Sequence, residues 1–267
     1  HVESGAAARS SNGPRRASST VGLFVGDISD AARARAVESA IALLAAAGVP
    51  VTEVGADRPT GRTAASLGLR DVAVDLARAV IDDVQSAGID ELLVLAPGDR
   101  WAFESVYADR LGLEWPKGVR VTDAIVVLAR ALAAGALSFG APKDLPPYAY
   151  HDPCHTPRLA RDYAAPRALA AAALGPDAAR PFFWREHRAH PCGAIGGLNV
   201  THPDIAARLA AARVDDARAA GARWIVTEDP DCSAHLAAHA SGGVEVRNLF
   251  ELLHERLVTS SRPTSGR

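Results

Sequence analysis

Three cysteines, Cys154, Cys192 and Cys232, are the residues of this sequence whose type and spacing best suit metal chemistry. Each follows a short apolar segment that predicts a buried β-strand, and each lies close to Pro or Gly in a predicted turn. The thiolate is a soft ligand that suits iron–sulfur clusters and zinc. The three residues can share one site only if the fold brings their loops together.

Strands and helices are predicted to alternate around these cysteines. Short apolar segments that end in turn residues predict strands, and longer segments with apolar residues at helical spacing predict helices. The predicted strands are VGLFVG (21–26), VPVTEV (49–54), IDELLVLAPGD (89–99), YAYH (148–151), RPFFWREH (180–187), ARWIVTEDPDC (222–232) and GVEVRN (243–248). The predicted helices run over 30–48, 69–88, near 101–112, near 122–136, up to 174, over 202–221, near 233–240 and over 250–257. This order predicts an α/β fold with parallel sheets covered by helices.

The second half of the sequence repeats the first. PTGRTAASLG (59–68) resembles PCGAIGGLNV (191–200), since both combine Pro-x-Gly, small residues and a following amphipathic helix. AGIDELLVLAPGD (87–99) resembles AGARWIVTEDPDC (220–232) as a helix end, a strand and a turn with Pro. The two pairs are offset by 132 and 133 residues, and this agreement indicates an internal duplication.

The duplication predicts two pseudo-symmetric lobes, residues 21–140 and 146–258, each a mainly parallel sheet flanked by helices. Residues 1–20 and 259–267 are small and polar, which predicts a disordered lead-in and a disordered tail. In such sheets the loops that follow the strands gather at the carboxyl ends of the strands. The three cysteines, all in the second lobe, are therefore expected to converge on one site.

Three motifs of the second lobe resemble the cysteine-rich CCG domain family. They are YHDPCH (150–155), PCGAIGG (191–197) and VTEDPDC (226–232). The family pattern is one Cys, then Cys-Cys-Gly, then Cys-Pro-x-Cys, once in each lobe. Its members include a catalytic-complex component of heterodisulfide reductase and the iron–sulfur subunits of glycolate oxidase and of lactate-utilisation proteins. The resemblance implies a 4Fe–4S-type cluster, electron transfer and a flavin- or ferredoxin-containing partner subunit.

The sequence departs from this family pattern in both lobes. In the second lobe Pro191 stands in place of the first Cys of Cys-Cys-Gly, and Asp229 in place of the first Cys of Cys-Pro-x-Cys. Cys154, Cys192 and Cys232 remain as cofactor and metal ligands. In the first lobe the corresponding positions hold Asp27, Pro59, Thr60, Ala96 and Asp99. The resemblance therefore implies an oxidoreductase subunit with one cluster site and one degenerate site, and the electron-transfer function depends on the second lobe alone.

Three thiolates leave one coordination position for another ligand. Asp229 is the first candidate because it occupies a cysteine position of the family, and His155 and His190 follow because each adjoins a motif. Zinc is an alternative metal, since Cys3His and Cys3Asp are ordinary tetrahedral sets. The thiols could also be small buried residues or redox-active groups. A cofactor-free or zinc-bearing scaffold subunit therefore remains the alternative function.

Other residues allow weaker hypotheses. Gly193, Gly196 and Gly197 could cradle a phosphate, although a tight turn explains them equally. His151 and Asp152 could form an acid–base pair, although Asp152 before Pro153 suits a turn or helix cap. The first-lobe carboxylates, Asp27 and Asp99, could bind a hard cation, whereas a solvated turn is the simpler interpretation.

Composition narrows the classes of partner and compartment. A net charge of −2 without basic clusters gives no indication of nucleic acid, and no apolar run is long enough to predict a transmembrane segment. Three dispersed cysteines argue against a disulfide scaffold and favour a reducing, cytoplasmic compartment, with peripheral membrane association as the alternative. The sequence contains no Met, which suggests a fragment or a processed chain.

Overall fold

The computed structural model describes residues 20–140, 144–156 and 162–258. It has two parallel β-sheets with helices around them, which confirms the predicted α/β fold with two lobes. The predicted disordered segments, apart from residue 20, lie outside the described residues.

The first lobe contains a four-stranded sheet of order β2-β1-β3-β4, with every pair of neighbours parallel. Its elements are β1 (Val21–Gly26), α1 (Ala31–Ala46), β2 (Thr52–Ala56), α2 (Arg62–Ser66), α3 (Arg70–Ala87), β3 (Glu91–Val94), α4 (Pro97–Trp101), a π-helix (Ala102–Leu111), β4 (Arg120–Asp123) and α5 (Ala124–Ala133). The sequence analysis did not predict β4, because its residues, RVTD, are mostly polar and give no apolar run.

The second lobe contains a three-stranded parallel sheet of order β5-β6-β7. Its elements are β5 (Tyr148–Tyr150), α6 (Ala164–Leu174), α7 (Leu198–Thr201), α8 (Pro203–Ala219), β6 (Trp224–Thr227), α9 (Pro230–Ala237), β7 (Glu245–Asn248) and α10 (Leu249–Arg256). The order β5-β6-β7 corresponds to β1-β3-β4 of the first lobe, as the sequence repeat requires.

The predicted strand at 180–187 is wrong. Its place beside β5 holds only an isolated bridge between Tyr148 and Ala179 and a hydrogen bond from the Arg180 N–H to the Tyr148 carbonyl. Phe183 and Trp184 are 79% and 37% exposed, so much of the apolar surface that suggested a strand faces away from the core. The second sheet consequently lacks a counterpart of β2.

One core cluster joins the two lobes. It contains Leu23 and Val25 of β1, Tyr150 of β5, and buried residues of the helices between the sheets, such as Leu44 of α1 and Phe250 of α10. Helix α1 packs against α10, and α5 packs against α6. Burial of apolar area is the main favourable contribution to folding. The shared core therefore fixes how the loop edges of the two sheets face each other.

Side-chain caps start several of these helices where the sequence predicted them. The Asp30 carboxylate accepts hydrogen bonds from the N–H groups of Ala32 and Arg33, at 2.7 and 3.1 Å, at the start of α1. The Asn248 side chain accepts from the Phe250 N–H at the start of α10. Each cap satisfies a backbone donor that the helix leaves without a partner.

Candidate metal centre

The loops at the carboxyl ends of β5 and β6 bring the three cysteines together. Cys154 follows β5, Cys232 lies in the first turn of α9, and Cys192 lies in the loop before α7. All three are buried and line one cavity of about 380 Å³, together with His155 and Asp229. None of the three cysteines forms a disulfide. Their predicted convergence therefore agrees with the structure.

Cys192 and Cys232 form a direct pair. The Cys232 thiol donates to the Cys192 sulfur at 3.2 Å. This hydrogen bond, assisted by the backbone N–H of Ala194, lowers the pKa of Cys192 although burial opposes the change. The same bond, together with burial and the nearby Asp229, raises the pKa of Cys232 well above its usual value. Cys192 is therefore the more acidic thiol of a pair that retains a shared proton.

The tightest group at the site includes a histidine that the sequence analysis did not place there. Ligand atoms of His151, Cys192 and Cys232 all lie within 4.8 Å of one another, and the three residues are buried. Cys154 lines the same cavity, and its charge acts on Cys232. The structure thus assembles the three expected cysteines and adds His151 at the end of β5.

Asp229 is the N-cap of α9. Its Oδ1 accepts from the N–H groups of Asp231 and Cys232, at 2.9 and 3.2 Å, so this carboxylate fixes the backbone that carries the cysteine. Burial, and then the charge of Asp231, raises the pKa of Asp229 to about 7, against the opposite effect of Arg62. Asp229 lines the cavity and shares in its charge.

The other histidines near the motifs have different surroundings. His155 lines the cavity and stacks on Trp101, with 5.2 Å between the ring centroids. His190 stacks on Trp184 and lies 3.5 Å from an Asp216 oxygen, outside the cysteine group. Of the two histidine candidates for a fourth ligand, the structure therefore brings only His155 to the cavity.

A buried arginine supports His151 from behind. The Arg213 Nε–H donates to Nδ1 of His151 at 3.1 Å, and both side chains are almost fully buried. The pKa of His151 lies well below its usual value because of burial and then the positive charge of Arg213. Burial lowers the pKa of Arg213 to about 10, although Asp216 opposes this. Sequence reasoning missed Arg213, and the available signal was its position on the apolar face of α8 with Ala206, Ala210 and Ala217.

The first-lobe counterpart of the site is filled by ion pairs. Asp99 is buried, and its Oδ2 lies 2.6 Å from Nη2 of Arg33, while its Oδ1 lies 3.6 Å from Nε of Arg62. Asp27 is exposed, and its Oδ1 accepts from the Ser29 hydroxyl and N–H. The solvated-turn interpretation therefore suits Asp27 and is wrong for Asp99, whose oxygens face guanidinium groups.

Replacing Gly193 by Ala is expected to lower the free energy of unfolding by about 3 kcal/mol or more. Gly193 has φ of +107°, and an added Cβ would lie 2.4 Å from the Ala206 carbonyl oxygen of α8. Gly196→Ala is the matched control, since its φ is +64° but a Cβ would meet nothing within 4 Å. The control is expected to cost only about 1 kcal/mol. Chemical denaturation measures both, and equal losses would contradict the close approach of Gly193 to α8.

The donor set of the cavity fits a soft metal or a cluster. Three thiols provide soft ligands, and the pair at 3.2 Å is already arranged to lose its shared proton to a cation. The fold and the site together define a class, a two-lobed α/β protein with a cysteine-rich centre at the loop edge of its second sheet.

The family of this centre follows from comparison with known proteins. Residues 148–237, from the start of β5 to the end of α9, match the family described as CCG, the cysteine-rich domain. This match confirms the resemblance inferred from the motifs, and the second lobe contains a cysteine-rich domain of the CCG family.

Three relatives extend the similarity beyond this domain. A probable membrane-anchored ferredoxin of Chromohalobacter salexigens is 27% identical over 80% of this chain and 32% of its own length. One subunit of the dihydromethanophenazine:CoB–CoM heterodisulfide reductase of Methanosarcina barkeri is 28% identical over 72% of this chain and 46% of its own length. An uncharacterized iron–sulfur protein of Methanococcus maripaludis is 26% identical over 81% of this chain and 40% of its own length.

The chain thus spans between about a third and a half of the length of these relatives. Within the described ranges, each helix is too short or too polar to cross a membrane.

Proposed function

We propose that this chain is an iron–sulfur electron-transfer protein whose second lobe binds the cluster through Cys154, Cys192 and Cys232. The observation that carries the proposal is the presence of all three thiols in one cavity, with two sulfurs 3.2 Å apart. The cysteine-rich domain at 148–237 and the names of the relatives support it. When bound, the cluster would supply one-electron transfer.

The residues of this chain hold and shield such a group. The Ala194 N–H donates to the Cys192 sulfur and so favours the thiolate form. Asp229 fixes the first turn of α9 and therefore the position of Cys232. Burial of the three cysteines keeps bulk water away from the ligands. Hydrogen bonds to sulfur and exclusion of water are the usual means by which a protein tunes a cluster.

The fourth ligand is proposed to be Asp229, with His155 as the second candidate. Both line the cavity, and one Asp229 oxygen is already engaged as the cap of α9. Cluster type and ligand order are properties that spectroscopy of variants at these two positions can separate.

The partner is proposed to be a flavin- or ferredoxin-containing subunit of an oxidoreductase. The heterodisulfide reductase subunit among the relatives supports this. Ile195 and Val200 line the cavity and are 36% and 66% exposed, so apolar surface is available where a partner would approach. We propose a cytoplasmic location, with peripheral membrane association as the alternative, and the name of one relative is compatible with the latter.

Anaerobic purification and reconstitution test the proposal. We expect iron and sulfide to bind, with broad visible absorbance and an EPR signal after reduction. Cys192→Ser and Cys232→Ser should each lose most of the iron, whereas the control Asp27→Asn, in the degenerate first lobe, should retain it. Zinc without sulfide would replace the proposal by the zinc-bearing scaffold, and a metal-free protein after reconstitution would leave the cofactor-free scaffold.

A further inference from the structure

The hydrogen bond between Arg213 and His151 determines which ring nitrogen carries the proton. A guanidinium group has donors only and no acceptor. Because the Arg213 Nε–H points at Nδ1 of His151 from 3.1 Å, Nδ1 must accept with its lone pair. In a neutral imidazole the proton then resides on Nε2.

That Nε2–H is a buried donor beside sulfur. Nε2 of His151 has no hydrogen-bond partner among the described residues, and the side chain is fully buried. A ring nitrogen of His151 lies within 4.8 Å of the sulfurs of Cys192 and Cys232. A buried donor without an acceptor costs about 1–3 kcal/mol. A thiolate or cluster sulfur in this cavity would provide the acceptor that the ring lacks.

The same geometry opposes a role of His151 as a ligand. Ligation through Nε2 would move the proton to Nδ1, so that two N–H groups would face each other. Arg213 has little freedom to withdraw, since its Nη1 donates to the Trp184 carbonyl at 3.0 Å and its guanidinium lies 3.4 Å from the centre of the Phe182 ring. The arginine thus holds the ring in the donor tautomer.

We propose that His151, oriented by Arg213, is a hydrogen-bond donor to the sulfur atoms of the site and is not a metal ligand. Its effect on a cluster rests on the proposed function. A donor aimed at sulfur, with a buried positive charge behind it, stabilises the more negative, reduced state of the cluster. His151 is therefore a positioning and tuning residue that keeps the midpoint potential high.

The tautomer can be tested without any cluster. Long-range ¹H–¹⁵N NMR of the full chain, purified free of metal, is expected to show His151 as the Nε2–H tautomer, with the signal assigned by its loss in His151→Gln. Addition of zinc alone should leave this tautomer in place. A proton on Nδ1, or a shift of His151 to the metal-bound pattern on zinc addition, would overturn the proposal whether or not the protein binds iron.

The cluster-loaded protein provides the second readout. His151→Leu should keep the iron content of the wild type but shift the midpoint potential to a more negative value. His151→Gln, which retains an amide N–H near the position of Nε2, should recover part of that shift. His235→Gln, a control at another histidine of the cavity, should leave the potential unchanged. Loss of iron in His151→Leu would identify a ligand and reject the proposal, whereas a wild type that binds no iron would refute the proposed function and leave the tautomer to NMR.

Discussion

Replacing Asp99 by Ala is expected to lower the free energy of unfolding by about 3–5 kcal/mol, because it leaves a buried cation without its partner. The Asp99 and Arg33 side chains are only 3% and 9% exposed, and Nη2 of Arg33 lies 2.6 Å from the carboxylate. Burial disfavours the charged form of Arg33, and Asp99 and Asp231 more than offset this, so that the pKa of Arg33 is raised. Urea denaturation at neutral pH measures the loss.

Two further variants separate the ion pair from its surroundings. The double variant Arg33→Met with Asp99→Leu is expected to recover most of the loss, since a buried pair replaced by apolar groups is often neutral. Asp27→Ala, at the exposed former ligand position, should change the free energy of unfolding by less than about 0.5 kcal/mol. A double variant as unstable as Asp99→Ala would show that local packing, and not the uncompensated charge, causes the loss.

The ion pairs of the first lobe also support the second-lobe site. Nη2 of Arg62 lies 2.6 Å from the Asp231 carboxylate, which is adjacent to Cys232, and Arg62 also faces Asp99. The lobe without cysteines therefore anchors the first turn of α9, where a ligand of the other lobe lies. This arrangement gives the degenerate site a structural role through charge.

Much of the fold could be predicted because local chemistry determined it. The apolar run of β1 and the cap at Asp30 lie where the sequence placed them, and the duplication predicted two corresponding sheets. The segments that failed lacked such local signals. Strand β4 is mostly polar, and the segment 180–187 is apolar in composition although Phe183 projects into solvent.

The site could be predicted only as far as the repeat and the cysteines reached. The loops that follow parallel strands meet at one edge, so the convergence of the cysteines followed from topology. The contacts of His151 with Arg213 and of Asp99 with Arg33 join residues 62 and 66 positions apart. Such pairs depend on how helices pack on the sheets, and no local pattern specifies them.

Metal-free protein is expected to lose stability as the pH rises from about 4.5 to about 8, because Glu228 is protonated in the folded state. Burial raises the pKa of this carboxyl to about 8 from its ordinary value of 4.5, although the Tyr150 hydroxyl that donates to it has the opposite effect. Below pH 4.5 both states bind the proton, and between the two values only the folded state does, so stability falls with pH.

Glu228→Gln removes this proton linkage and tests it. The variant is expected to resemble the wild type near pH 4.5 and to exceed its free energy of unfolding at pH 9 by on the order of 4 kcal/mol. Part of the pH dependence should remain, since burial also raises the pKa of Asp229 to about 7. Glu53→Gln, at an exposed position, should follow the wild-type curve. If denaturation curves of Glu228→Gln and the wild type differed equally at every pH, the carboxyl would be ionised in the fold, and its stability effect would come from the Tyr150 contact alone.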